Sequence, residues 1–168
     1  QSSNLVLQVT AQAEAEAAGE DINYLVERTA LTDANIKEIV NLWIENKENE
    51  LFTNSENSIY YGDIKTWDVS QVTDMSALFK HAHTFNNDIS KWNVSSVTNM
   101  NAMFCNAHAF NQDISNWDVL NVTDMSYMFS NAKAFNQDIS SWNVRKVTDM
   151  SGMFLEAENF NKSLSAWY

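Results

Sequence analysis

Apolar positions along this chain fall into two regimes. Between residues 36 and 44, Ile36, Ile39, Val40, Trp43 and Ile44 recur at i, i+3, i+4, i+7 and i+8, which is one face of an α-helix. Thr32 or Asp33 stands where an N-cap belongs, and Lys47 lies near the far end, where a cation suits the helix dipole. From Tyr60 onward the rhythm changes to a strict period of twenty-five residues. Trp67, Trp92, Trp117, Trp142 and Trp167 mark it, and the columns Met75, Met100, Met125, Met150 and Phe79, Phe104, Phe129, Phe154 and Phe85, Phe110, Phe135, Phe160 keep the same beat. A fixed period of this length predicts stacked units, each burying its apolar face only against its neighbours.

Within the unit, Trp-x-Val alternates, which predicts a short strand with Trp and Val inward and Asp68, Asn93, Asp118 or Asn143 outward. The following Met-x-x-(Met/Leu)-Phe has the spacing of a helical turn. Together these predict an α/β solenoid of leucine-rich-repeat-like type, with short parallel strands on one side, helical turns on the other and a rise of about 4.8 Å per coil. The expected organisation is a helical, capping region over residues 1–58 and about four to five repeats over 59–168. The helix carrying Trp43 is the expected plug on the first coil. Residues 1–31 are Ala/Glu-rich over 11–20 and predict a marginal helix, while 51–58 reads as a loop.

Charge narrows the partners. The formal net charge is −12; residues 1–60 carry eleven acids against three bases, and residues 61–168 eleven against seven. That balance argues against nucleic acid and anionic membrane surfaces, which need clustered Lys and Arg. No apolar run approaches the ~18–20 residues of a spanning helix, so direct membrane insertion is not expected. Cys105 is the single cysteine, which excludes an intramolecular disulfide framework. The chain opens on Gln1 rather than Met, from which a processed, excised or engineered chain is expected.

The repeat Phe110-Asn-Gln-Asp-Ile-Ser-Asn-Trp-Asp-Val-Leu-Asn-Val-Thr-Asp-Met-Ser-Tyr-Met-Phe129 resembles the bacterial surface protein repeat of about 25–26 residues. That repeat is known from mycoplasma and listeria surface lipoproteins and from marine microbial and algal proteins, and is grouped with BspA-like leucine-rich repeats. The resemblance covers residues 60–168, and the stretch from Leu31 to Ser70 looks like the capping region of such proteins; residues 1–25 are not covered. Leu120 and Arg145 depart from it where Ser is usual. The resemblance implies a leucine-rich-repeat-like solenoid on a cell surface, with adhesion or binding roles, and supplies no catalytic residues.

Several columns carry candidate chemistry. Asp63, Asp88, Asp113 and Asp138 stack like charges; Ca²⁺ between coils is one reading, but six to eight oxygens are needed and the neighbours are mostly Ile and Ser, so local backbone N–H donors are the preferred explanation. His83 and His108 are in register with His81 nearby, and three imidazoles could hold Zn²⁺ or Ni²⁺. Their position is a variable turn, occupied in other copies by Lys133 and Glu158, so the reading taken is solvated turn residues and no metal. Thr73, Thr98, Thr123 and Thr148 form one Thr per coil, not the flat double row an ice-binding surface would use. The outward columns that vary are Thr66, Lys91, Asn116, Ser141 and Ser70, Ser95, Leu120, Arg145, flanking Asp68, Asn93, Asp118, Asn143. Repeat surfaces of this kind serve protein or glycan contact.

The sequence thus reads as a non-catalytic interaction module of adhesion type, secreted or at the cell surface, without a cofactor. The alternatives are a structural spacer or subunit of a larger assembly, and a glycan- or Ca²⁺-binding module. Because the repeat stops at Trp167-Tyr168, before its Val, Met and Phe, the last coil is expected to be open, either continued in a longer array or associating end to end.

Overall fold

The structure is a computed structural model that describes residues 29–167. The expected helix over residues 11–20 lies outside that range. Helix α1 spans Ile36–Glu45 and buries Ile36, Ile39, Val40 and Trp43, while Ile44 stays exposed. Neither expected N-cap holds it: the cap position is Asn35, whose side chain makes no capping bond, and the Thr32 carbonyl accepts the N–H groups of Asn35 and Ile36. Lys47 falls outside the last turn, which contains no basic residue. A second short helix, α2 (Glu50–Thr53), occupies part of the expected loop; Asn49 caps it by accepting the Leu51 N–H.

The α/β solenoid with parallel strands is overturned. Among the described residues there is no sheet, and the only ladder contacts are the isolated parallel bridges Asp74–Asn99, Asn99–Asp124 and Asp124–Asp149. The Trp-x-Val step fails as a strand because turns close at both of its ends: Trp92 N–H donates to the Ile89 carbonyl, and the Val94 carbonyl accepts the Val97 N–H, as in each copy, so neither group is left for a neighbouring coil. The Met-x-x-(Met/Leu)-Phe step is not a helical turn either. Ala77, Ala102, Tyr127 and Gly152, and four residues later His81, Asn106, Asn131 and Glu156, have positive φ between 52° and 64°. Left-handed residues at this spacing break a right-handed helix. Among the described residues the leucine-rich-repeat-like layering of sheet against helices is therefore absent.

Stacked, turn-rich coils take its place. Met75, Ala77, Phe79 and His81 donate their N–H groups to the carbonyls of Asn99, Asn101, Met103 and Cys105 in the next coil, at 2.8–2.9 Å. The apolar columns fill the interior as slipped stacks. Phe79, Phe104, Phe129 and Phe154 lie 5.5–5.6 Å apart centroid to centroid, and Phe85, Phe110, Phe135 and Phe160 lie 5.9–6.1 Å apart. From Trp92 onward each indole N–H of the column reaches back one coil: Trp92 to the Ile64 carbonyl, Trp117 to Ile89, Trp142 to Ile114 and Trp167 to Ile139, at 2.8–3.2 Å, while that of Trp67 donates to Gly62. Buried indole donors are thereby satisfied, which permits a Trp in every coil.

The N-terminal end is closed by groups that imitate a missing coil. Inside the stack, the Thr73 carbonyl accepts the Thr98 N–H (2.8 Å), the Thr98 hydroxyl (3.3 Å) and, at 3.4 Å, the Asn99 N–H. One coil earlier the Asp33 carboxylate does the same work. It accepts the Thr73 N–H at 2.8 Å, the Thr73 hydroxyl at 2.5 Å and the Asp74 N–H at 3.1 Å. Partial burial would push the Asp33 carboxyl up, but those three donors and nearby Lys37 outweigh it and hold the group below its ordinary 3.8. A depressed carboxyl stabilises the fold above the unfolded value and loses that contribution as pH falls through the folded one. Asp33→Ala is expected to cost roughly 1–2 kcal/mol, as for a lost helix cap. Asp33→Asn should show a shallower fall in Tm than wild type on acidification below 3.8; parallel acid limbs in the two proteins would reject this role.

Candidate functional site

The recurring polar residues are turn-makers. In the first acidic column the side-chain oxygens of Asp63, Asp88, Asp113 and Asp138 accept the N–H two residues on, at 2.9–3.0 Å. The column Asp68, Asn93, Asp118, Asn143 repeats this at 3.0–3.3 Å, with the Ser70 and Ser95 hydroxyls added at 2.6 Å. A third column, Asp74, Asn99, Asp124, Asp149, does so at 2.8–2.9 Å. Each coil therefore bends at three Asx turns, the preferred local geometry of Asp and Asn. The Ser90 and Ser115 hydroxyls and backbone N–H groups lower the Asp88 and Asp113 carboxyls below the usual carboxylate range. Ionised oxygens engaged in this way do not need a cation to coexist. Chelation with EDTA is accordingly expected to leave Tm unchanged; a fall of several degrees reversed by Ca²⁺ would assign the first acidic column to metal.

The histidines come together as the register predicts, with ring centroids 4.6 Å apart for His83 and His108 and 6.2 Å for His81 and His83. They are tied into an amide ladder that sequence reasoning missed. Asn106 Nδ2 meets His81 Nδ1 at 3.1 Å, Asn131 Nδ2 donates to Asn106 Oδ1 at 2.7 Å, and Asn131 Nδ2 lies 3.3 Å from His108 Nε2. Among the described residues no three of His, Cys, Asp and Glu converge to hold a metal ion. A second missed ladder runs through Asn86, Asn111, Asn136 and Asn161, each side-chain oxygen taking the N–H of the next, reinforced by Gln112 and Gln137. The signal was present: Asn follows Phe in register at all four positions. Nor do the Thr hydroxyls face outward as a free array, since those of Thr98, Thr123 and Thr148 donate to the Thr carbonyl one coil back.

The varying columns stand apart. Thr66, Lys91, Asn116 and Ser141 are exposed, as is Arg145, with Ser70, Ser95 and Leu120 half-buried beside the exposed Asp68, Asn93, Asp118 and Asn143. They do not lie on the face of a sheet, as expected, but along corners made by the second set of Asx turns. Thr66 donates its hydroxyl to the Asp63 carbonyl (2.6 Å), and Ser141 to the Ser115 carbonyl (3.3 Å). Residues 46–167 match the family described as Mycoplasma protein of unknown function, DUF285. The chain belongs to that family. No curated protein and no solved structure matched it. Within this DUF285 chain the match takes in α2 and every coil, and it begins just beyond α1.

Proposed function

We propose that this DUF285 chain is a non-catalytic module for protein or glycan contact, of adhesion type, carried by a secreted or cell-surface protein. One observation carries the reading: residues that recur in every coil are committed to core stacking or to Asx turns and amide ladders, while Lys91, Asn116, Leu120 and Arg145 differ from coil to coil on a frame that holds them in order. Chemistry that is spent on folding leaves recognition to the positions that vary. Lys91 and Arg145 are cations in a chain whose formal net charge is −12, so they are points where an acidic partner surface would register. Catalysis and a cofactor form no part of this proposal.

The test is a protein and glycan array probed with the soluble chain and with a Lys91→Glu, Arg145→Glu double variant. Binding that the double variant loses, with Tm unchanged, supports the reading. Binding to nothing on the array, or binding indifferent to both charges, would favour a spacer within a larger assembly.

A further inference from the structure

His81, Asn106 and Asn131 stand at one position of successive coils, each with positive φ, and their side chains join in a single run of hydrogen bonds. Asn131 donates from Nδ2 to Asn106 Oδ1 at 2.7 Å, and this one bond fixes which way both amides point. Asn106 then turns its Nδ2 to His81 Nδ1, 3.1 Å away, and Asn131 Nδ2 also meets His108 Nε2 at 3.3 Å. An amide nitrogen only donates, so both imidazole nitrogens are held as acceptors. The neutral His81 ring is thereby set with its proton on Nε2. Neutral His108 is set with its proton on Nδ1, the less common form of a solvated histidine.

Turning one amide alone would set oxygen against oxygen, or N–H against N–H, between Asn106 and Asn131. Turning both together restores every bond: Asn106 Nδ2 then donates to Asn131 Oδ1, and the two amide oxygens face the imidazoles. Neutral rings fit either arrangement by moving a proton between their nitrogens. An imidazolium donates from both nitrogens and fits only the second. We propose that Asn106 and Asn131 form a two-state amide relay through which protonation of His81 sets the hydrogen bonding of His108, and the reverse, making this edge of the stack a pH-sensitive link between coils. The coupling is reciprocal, as linkage requires. The His83 ring lies 4.6 Å from His108 and 6.2 Å from His81, so a charge on it opposes a charge on either. By register Glu156 follows Asn131, and Lys133 and Glu158 follow His108, with Lys133 paired to Glu158 at 3.3 Å. Lys80 and Cys105 adjoin His81 and Asn106 along the chain. The relay is separate from the varying columns and does not depend on the function proposed for them.

The test is NMR on the whole chain, with ring tautomers read by long-range nitrogen–proton correlation and the amides by their side-chain NH₂ signals. At about pH 8, above the histidine range, His108 is expected mainly with its proton on Nδ1. Asn106→Gly suits the positive φ and removes an amide that bonds to His81 and Asn131 but not to His108. It should return His108 mainly to the Nε2–H form, a several-fold change in the tautomer ratio. Asn106→Asp keeps an acceptor for Asn131 but cannot donate to His81. It should leave His108 as Nδ1–H and move the proton of neutral His81 to Nδ1. On acidification to about pH 5, the NH₂ signals of Asn106 and Asn131 should move together with one midpoint. His108 mainly as Nε2–H in the wild type, a ratio indifferent to Asn106→Gly, or separate midpoints for the two amides would overturn the proposal. Should Asn106→Gly fail to fold, the Asp variant and the wild-type titration decide it.

Discussion

Trp117→Ala is expected to destabilise the protein by roughly 3–5 kcal/mol, the range for truncating a buried aromatic. Trp117 is 4% exposed in the middle of the stack. Its ring lies nearly parallel to Trp142 at 6.4 Å and is stacked on Phe104 at 6.3 Å, and its indole N–H donates to the Ile89 carbonyl at 3.1 Å. Truncation leaves a void between two coils that cannot collapse without dragging their shared ladder out of register. A change of about 2–4 °C in Tm per kcal/mol is usual at this size, so the fall should be of order 10 °C. Asn116→Ala, one residue earlier and exposed, should stay within about ±0.5 kcal/mol. Trp167→Ala provides an internal control, because the same column is only half covered at its end and the loss should be a fraction of that at Trp117. Equal Tm values for the Trp117 and Asn116 variants would defeat the inward assignment of the indole column.

Trp43→Ala should match the Trp117 variant in size, roughly 3–5 kcal/mol, but differ in where the damage shows. Trp43 is 6% exposed and meets Phe52 and Trp67 edge-on at 5.1 and 5.9 Å. Phe52 stacks on Trp67 at 5.9 Å and Trp43 meets both edge-on, so Trp43 holds in place the cover of the one column indole that has no preceding indole. Without it Trp67 and Phe52 are wetted, and the first coil loses its apolar roof while keeping the Asp33 bonds. Amide exchange should then accelerate first at Ala77 and Phe79 and last at Tyr127 and Phe129, because each coil is stabilised through its neighbours. Equal acceleration at all four amides would mean that the cap and coils unfold as one unit and that Trp43 has no local covering role.

The core was the most legible part. A Trp, Met or Phe that returns every twenty-five residues has to be inside, since only a buried position constrains size and shape so closely. The α1 face read directly for the same reason, apart from Ile44. The cap box was misread because Thr32, Asp33 and Asn35 all suit an N-cap by residue type, and what decided between them was a partner some 40 residues away: Asp33 turns from the helix to Thr73. Of the candidate site, the register of His83 with His108 was visible, but not the Asn106 and Asn131 amides that meet His81 and His108, since those bonds join different coils.

By itself the sequence determined the period, the inward columns and the stacking of like on like. It could not determine the backbone path between them. Trp-x-Val alternation is shared by a strand and by consecutive tight turns, because both send every second side chain the same way. Met-x-x-Met-Phe likewise suits a helical turn or a run of turns broken by left-handed residues. The choice was made by where the N–H groups go. Once Asp and Asn close three Asx turns per coil, and Ala77 and His81 and their equivalents adopt positive φ, the remaining donors point at the neighbouring coils, those of Met75, Ala77, Phe79 and His81 forward and that of Thr98 back to Thr73. That arrangement satisfies the backbone only when another coil, or a carboxylate such as Asp33, lies in place to complete it.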